Sequence, residues 1–205
     1  MPGEETVYVV DDDEAVRDSL GALLEASGFR VKTFGSAAAF LASDAPEHKA
    51  CLVTDIRMPD MDGLELQLEL KRRGSRLPVI VITGHGDVPL AVRAMKAGAI
   101  EFLEKPYDDR MLLDSLRLAL SQSGSGSGDE AMAADIRKKL ATLTPREREV
   151  FDLVVLGKPN KVIAYELSIS QRTVEIHRGR LMHKMGARNL ADLVRMGIAA
   201  GTAHR

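Results

Sequence analysis

The chain reads as an α/β doubly wound domain with a five-stranded parallel sheet (flavodoxin-like), followed by a small all-α, four-helix helix-turn-helix domain. Three observations carry that reading. Short apolar runs alternate five times with helical periods over residues 1–120. A Ser/Gly run, "SQSGSGSG", interrupts the pattern at residues 121–128. Beyond it no strand pattern remains, and the balance of charge inverts.

The elements follow in order. "VYVV" (7–10) is a buried strand, and 14–26 is a helix with Ala15, Val16, Leu20, Leu23 and Leu24 on its apolar side, ended by Gly28. "FRVKTF" (29–34) alternates as a strand. "SAAAFLA" (36–42) is a short helix capped by Ser36. "ACLVT" (50–54) is a buried strand, and 63–73 a helix that stops before Gly74. "PVIVIT" (78–83) is a strand, 87–97 a helix ended by Gly98, "AIEFLE" (99–104) a strand and 108–120 a helix. Continuous apolar strands alternating with helices predict a parallel sheet covered on both faces. In the second half, helices are expected near 145–156, 160–167, 171–185 and 189–199, with Ser170 capping the third and the fourth starting near Asn189.

Residues 1–120 carry 14 Lys+Arg against 21 Asp+Glu, a net −7; residues 121–205 carry 14 against 9, a net +5. An acidic module joined to a basic one implies different partners, and the basic one suits DNA. The expected boundaries are 1–120, a flexible or helical linker over 121–140, and 141–205. As a random coil, Ser121–Gly128 spans about 16 Å. No apolar run approaches the ~18 residues that cross a bilayer. "MPGEET" has no basic and apolar signal pattern, and the one cysteine, Cys51, excludes an intrachain disulfide. A cytoplasmic protein with no membrane partner is expected.

In an open parallel sheet, functional groups gather beyond the carboxyl ends of the strands. Here those ends carry Asp11 and Asp12, then Asp55, Thr83 and Lys105. A strand order of 2-1-3-4-5 brings all five to one crevice. Three carboxylates are costly together unless a cation sits among them. Hard oxygen ligands suit Mg²⁺, and a carboxylate beside that metal can attack a phosphoryl donor to form an acyl phosphate. Thr83 and Lys105 can then hold the phosphoryl oxygens. Each residue also has a plainer reading. Asp11–Asp13 can cap helix 14–26, Asp55 can open a turn, Thr83 can end a strand, Lys105 can be solvated and Phe102 can be core. Asp13 is read as a cap only, and Asp60 and Asp62 as turn formers. His85, beside Thr83, is either a gate or a surface-loop residue.

"VVDDDEAVRDSL", "LVTDIRMPDMDG", "VIVITGHGD" and "EFLEKPY" resemble the receiver domain of bacterial two-component response regulators. The resemblance implies that Asp55 is the phosphate acceptor. It implies a Mg²⁺ site of Asp11, Asp12, Asp55 and the Arg57 carbonyl, with Asp12 the more direct ligand. It also implies that Thr83 senses the phosphoryl group, Lys105 pairs with it, Lys105–Pro106 is cis, and Phe102 swings inward on activation.

"LTPREREVFDLVVLGKPNKVIAYELSISQRTVEIHRGRLMHKMGARNLADLV" (143–194) is similar to the LuxR/NarL-type DNA-binding domain, and the whole chain to its FixJ branch. The resemblance implies a phosphorylation-switched transcriptional activator under an oxygen-responsive histidine kinase, acting as a homodimer with RNA polymerase, in microaerobic or nitrogen-fixation control. Spacing on helix 171–185 puts Val174, Leu181 and Met185 on a core face, and Arg172, Glu175, Ile176, Gly179 and His183 on a groove face. Glu175 can accept from cytosine and Ile176 can touch a thymine methyl. Arg172, Thr173, Arg180, Lys184, Asn160 and Lys161 suit phosphates. His177 is expected beside the core. Two other classes compete. A Mg²⁺-dependent phosphohydrolase usually has a second carboxylate where Arg57 stands, and an inert interaction module conflicts with the intact Asp55, Thr83 and Lys105 set. No catalysis beyond self-phosphorylation and dephosphorylation is expected.

Overall fold

The computed structural model describes residues 5–43, 45, 48–84, 87–122 and 129–201. Five parallel strands, β1 (Thr6–Val10), β2 (Arg30–Phe34), β3 (Ala50–Asp55), β4 (Val79–Thr83) and β5 (Glu101–Glu104), lie in the order β2-β1-β3-β4-β5. β3 and β4 are buried at every residue, which is why they read as unbroken apolar runs. β2, at one edge, has no buried residue; only Val31 and Phe34 are half-buried. The intervening helices are α1 (Glu14–Ala26), α2 (Ala37–Leu41), α3 (Gly63–Arg72), α4 (Val88–Ala97) and α5 (Asp109–Gln122). The rest of the Ser/Gly run lies outside the described residues, as does His85.

Caps set where the helices begin. Asp13 accepts from Ala15 N and Val16 N at the start of α1, Ser36 from Ala39 N at α2, and Asp62 from Glu65 N at α3, where Glu65 returns the bond as a capping box. The main sheet core joins Val7, Val9, Cys51, Val53, Ile80, Ile82 and Leu103 to Leu20 and Leu24 of α1 and to Leu112, Leu116 and Ala119 of α5. Tyr8, Phe34 and Phe40 make a separate aromatic contact on β1, β2 and α2, with ring centroids 5.3–6.3 Å apart.

The rest of the chain is helical: α6 (Asp129–Ala141), α7 (Pro145–Val155), α8 (Asn160–Glu166), α9 (Gln171–Met185) and α10 (Leu190–Ala199). Four of these, α7 to α10, are the expected helices of the second domain, and α6 lies in the span read as a flexible or helical linker. α6 contributes Ile136 and Leu140 to a core with Val150, Phe151, Val154, Ile163, Val174, Leu181, Met185 and Leu193. α7 starts with a Thr144–Glu147 capping box and Pro145 in its first turn. Ser170 caps α9 and Asn189 caps α10, as expected. Gly197 lets α10 approach α7: a Cβ there would lie 2.6 Å from a Val155 methyl. The chain forms two compact units, residues 1–86 with 97–124, and residues 87–96 with 125–205. Among the described residues, no helix is long and apolar enough to cross a membrane.

Candidate functional site

The carboxyl ends of β1, β3 and β5 converge because parallel neighbours in the order β1-β3-β4-β5 finish on one side. Asp11 directly follows β1, Asp55 ends β3, Thr83 ends β4 and Lys105 directly follows β5. The Lys105 ammonium lies 3.0 Å from Asp11 Oδ2 and 3.0 Å from Asp55 Oδ1. These residues are 94 and 50 positions from Lys105 in the chain. The other Asp55 oxygen accepts from the Arg57 backbone N–H at 2.5 Å, while the Arg57 side chain is exposed. Thr83 is fully buried, and its carbonyl accepts from Lys105 N at 2.8 Å. Phe102 is buried on β5, and Lys105–Pro106 is cis.

The electrostatics follow from burial. Asp55 is 8% exposed, and its pKa lies above the ordinary aspartate value because burial disfavours the charge; Lys105 and the Arg57 N–H pull the other way. Burial also works to lower the Lys105 pKa, but hydrogen bonds to Asp11 and Asp55 outweigh it and the net shift is upward. Both groups move up, one through desolvation and the other through its partners. Asp12 is exposed and makes no hydrogen bond among the described residues. Also among the described residues, no three carboxylate, imidazole or thiol groups are gathered as a metal site. Lys105 is the cation that compensates Asp11 and Asp55.

Sequence reasoning did not single out Gly63 in this pocket. It opens α3 directly over the end of β3, and a Cβ there would stand 2.2 Å from the Asp55 carbonyl oxygen. A glycine between a capping aspartate and an amphipathic helix was the available signal. Arg17 was missed as well; its guanidinium donates to the Asp11 carbonyl at 2.7 Å.

In the helical unit, α9 buries Val174, Leu181 and Met185 and exposes Arg172, Glu175, Ile176, Gly179, Arg180 and His183. Lys161 of α8 is exposed too. Thr173 keeps its hydroxyl 2.8 Å from the Ser170 hydroxyl. Asn160 Oδ1 accepts from Arg178 at 2.6 Å, which ties α9 to the start of α8. Arg178 was not among the residues chosen from sequence, because it lies beside the core face. Lys184, which suits a phosphate by sequence, also has partners within the unit. Its ammonium stands 2.6 Å from the buried Glu147 carboxylate and 3.3 Å from the Thr142 carbonyl, while the residue itself is exposed. Glu147 is held down to a pKa of about 2, first by Lys184 and then by the Thr144 N–H. His177 is half-buried, and its Nδ1 is buried with no hydrogen-bond partner among the described residues.

Comparison with known proteins finds two domain families in tandem along the chain, the first of which takes in residues 87–96. The response regulator receiver domain family matches residues 7–117, and the family of bacterial regulatory proteins, luxR family, matches residues 141–197. The chain is 51% identical over 203 residues to the transcriptional regulatory protein FixJ of Azorhizobium caulinodans, covering 99% of this chain and 96% of that one. It is 51% identical over 196 residues to the protein of the same name from Rhizobium meliloti, covering 96% of each. Among solved structures, full-length FixJ from B. japonicum is similar with a TM-score of 0.57 at 45% identity, covering 97% of this chain and 98% of that one. With two domain families matched in tandem, and relatives similar across both, the chain belongs to the response regulators that join a receiver domain to a LuxR-type DNA-binding domain.

Proposed function

We propose that Asp55 is the phosphate acceptor and that its phosphorylation switches DNA binding by the helical unit. The observation that carries this is the Lys105 ammonium at 3.0 Å from both Asp11 and Asp55. It supports a site in which Asp11, the proposed acceptor and a phosphoryl-binding cation meet. An Asp55 oxygen attacks phosphorus, the phosphorus–nitrogen bond of a kinase phosphohistidine breaks, and the departing imidazole takes up a proton. Lys105 then exchanges a carboxylate for the new phosphoryl oxygens, and Thr83 meets them from the end of β4.

The donor set fits Mg²⁺. It consists of oxygens only, with Asp11 and Asp55 already sharing one cation and Asp12 exposed beside them. Asp11, Asp12, Asp55 and the Arg57 carbonyl would hold the ion. When bound it supplies charge neutralisation at the phosphoryl oxygens. Phe102, buried on β5, is the aromatic switch residue of this reading.

The activated protein forms a homodimer that presents two α9 helices to a two-fold operator. Glu175 and Ile176 read bases, while Arg172, Arg180, Lys161, Asn160 and Thr173 meet the backbone. The bound dimer recruits RNA polymerase in the cytoplasm. The resemblance to the FixJ branch extends the proposal to an oxygen-responsive histidine kinase and to microaerobic or nitrogen-fixation genes.

Incubation with acetyl phosphate and Mg²⁺ tests the core of this reading. One phosphoryl group per chain, a shift to dimer and tighter DNA binding are expected, all lost in Asp55→Asn. Labelling of Asp55→Asn to the parent level would end the proposal.

A further inference from the structure

We propose that Arg17 is a positioning residue of the acidic pocket, which holds the turn between β1 and α1 so that Asp12 is aimed at a divalent cation. The inference rests on the metal reading above and adds a residue to it.

Every polar atom of Asp11 is committed. Its N–H donates to the Phe34 carbonyl at 3.3 Å, and its Oδ1 accepts from Asp13 N at 2.9 Å. Its Oδ2 faces Lys105 at 3.0 Å, and its carbonyl accepts from Arg17 Nη1 at 2.7 Å. Asp13 is fixed as the cap of α1. Asp12 stands between these two, exposed and without a hydrogen bond among the described residues. Its direction is therefore set by the backbone on either side rather than by a side-chain partner.

Arg17 secures that backbone from the first turn of α1. Its guanidinium also lies against Gly35, where an added Cβ would meet it at 3.6–3.8 Å, so the side chain bridges α1 to the end of β2. Among the described residues it makes no ion pair, although Asp12, Asp13 and Asp18 are close in sequence. A helix-surface ion pair therefore does not explain it. Among the described residues its guanidinium donates to the main chain of the acid pair alone.

Charge and position predict opposite results, which makes the proposal testable. A guanidinium beside the pocket repels a divalent cation, so deleting it tightens Mg²⁺ binding if charge alone matters. If Arg17 positions Asp12, deleting it weakens binding. Calorimetric titration of the full chain with Mg²⁺, without a phosphoryl donor, reads the difference. Arg17→Met is expected to raise the dissociation constant by about 10-fold. Arg17→Lys, which keeps the charge and a donor, is expected to recover part of that loss. It also serves if Arg17→Met does not fold. Unchanged or tighter binding in Arg17→Met, or no loss in Arg17→Lys when Arg17→Met is unfolded, overturns the inference. Asp12→Asn separates the two claims. If it binds Mg²⁺ as the parent does, the metal reading fails; if it loses Mg²⁺ while the Arg17 variants do not, only the role of Arg17 fails.

Discussion

Asp55 must be ionised to attack phosphorus, yet folding places it where a charge is costly. Burial raises its pKa, and Lys105 and the Arg57 N–H partly restore the carboxylate. As pH falls through the raised pKa, the nucleophile is protonated. In the metal-free protein, carbon NMR of the Asp55 carboxyl should therefore show a midpoint above that of an ordinary aspartate. Lys105→Met removes a lowering influence, so the midpoint in the metal-free protein should move further up. A midpoint that stays put in Lys105→Met would contradict this account. The linkage to stability has the same root. The folded chain holds the Asp55 proton more tightly than the unfolded chain, so the contribution of this group declines as pH rises through its pKa.

α9 has to be a stable helix and a surface that fits a groove, and Gly179 separates those demands. A Cβ there meets nothing within 4 Å. Gly179→Ala should stabilise the helical unit by about 0.5–1 kcal/mol in thermal unfolding. If the α9 outer face lies close against bases, the same change should weaken operator binding; stabilised protein with unaltered DNA affinity would remove Gly179 from the interface. α7 depends on a different device. Glu147, capping its own helix, stays ionised against the Lys184 ammonium. Its depressed pKa means stability that is present above the usual glutamate range and lost as pH falls towards about 2. Circular dichroism of Lys184→Met should show acid unfolding of the helices beginning at a higher pH than in the parent.

Among the described residues the sheet and the helical unit have their own hydrophobic clusters, which predicts separable unfolding events. The sheet core is built on β1, β3, β4, β5, α1 and α5, and the helical core on residues of α6 to α10. Mg²⁺ that binds only the folded acidic pocket stabilises that unit by mass action, about 2.7 kcal/mol at 100 times its dissociation constant. Calorimetry of the full chain should show one transition rising with Mg²⁺ and another staying in place. A single transition that moves as one would show that the units melt together.

Much of this molecule could be read from local pattern. Unbroken apolar runs named the strands, and the topology rule for parallel sheets then put Asp11, Asp55, Thr83 and Lys105 at one rim. Helical spacing on α9 separated Val174, Leu181 and Met185 from the exposed face. Apolar residues announce themselves this way because burial imposes a period on them. Partnerships between charges have no period. The pairing of Lys184 with Glu147, 37 positions away, left no mark in the local pattern. Arg178 was unremarkable until folding set it against Asn160, and Arg17 until its guanidinium reached the Asp11 carbonyl. α6 offers only Ile136 and Leu140 to the core among its described side chains, too sparse a stripe to mark a helix after a Ser/Gly run. Which oppositely charged or hydrogen-bonding groups meet depends on distances that exist once the chain has folded, and those distances decide which charges remain free to act.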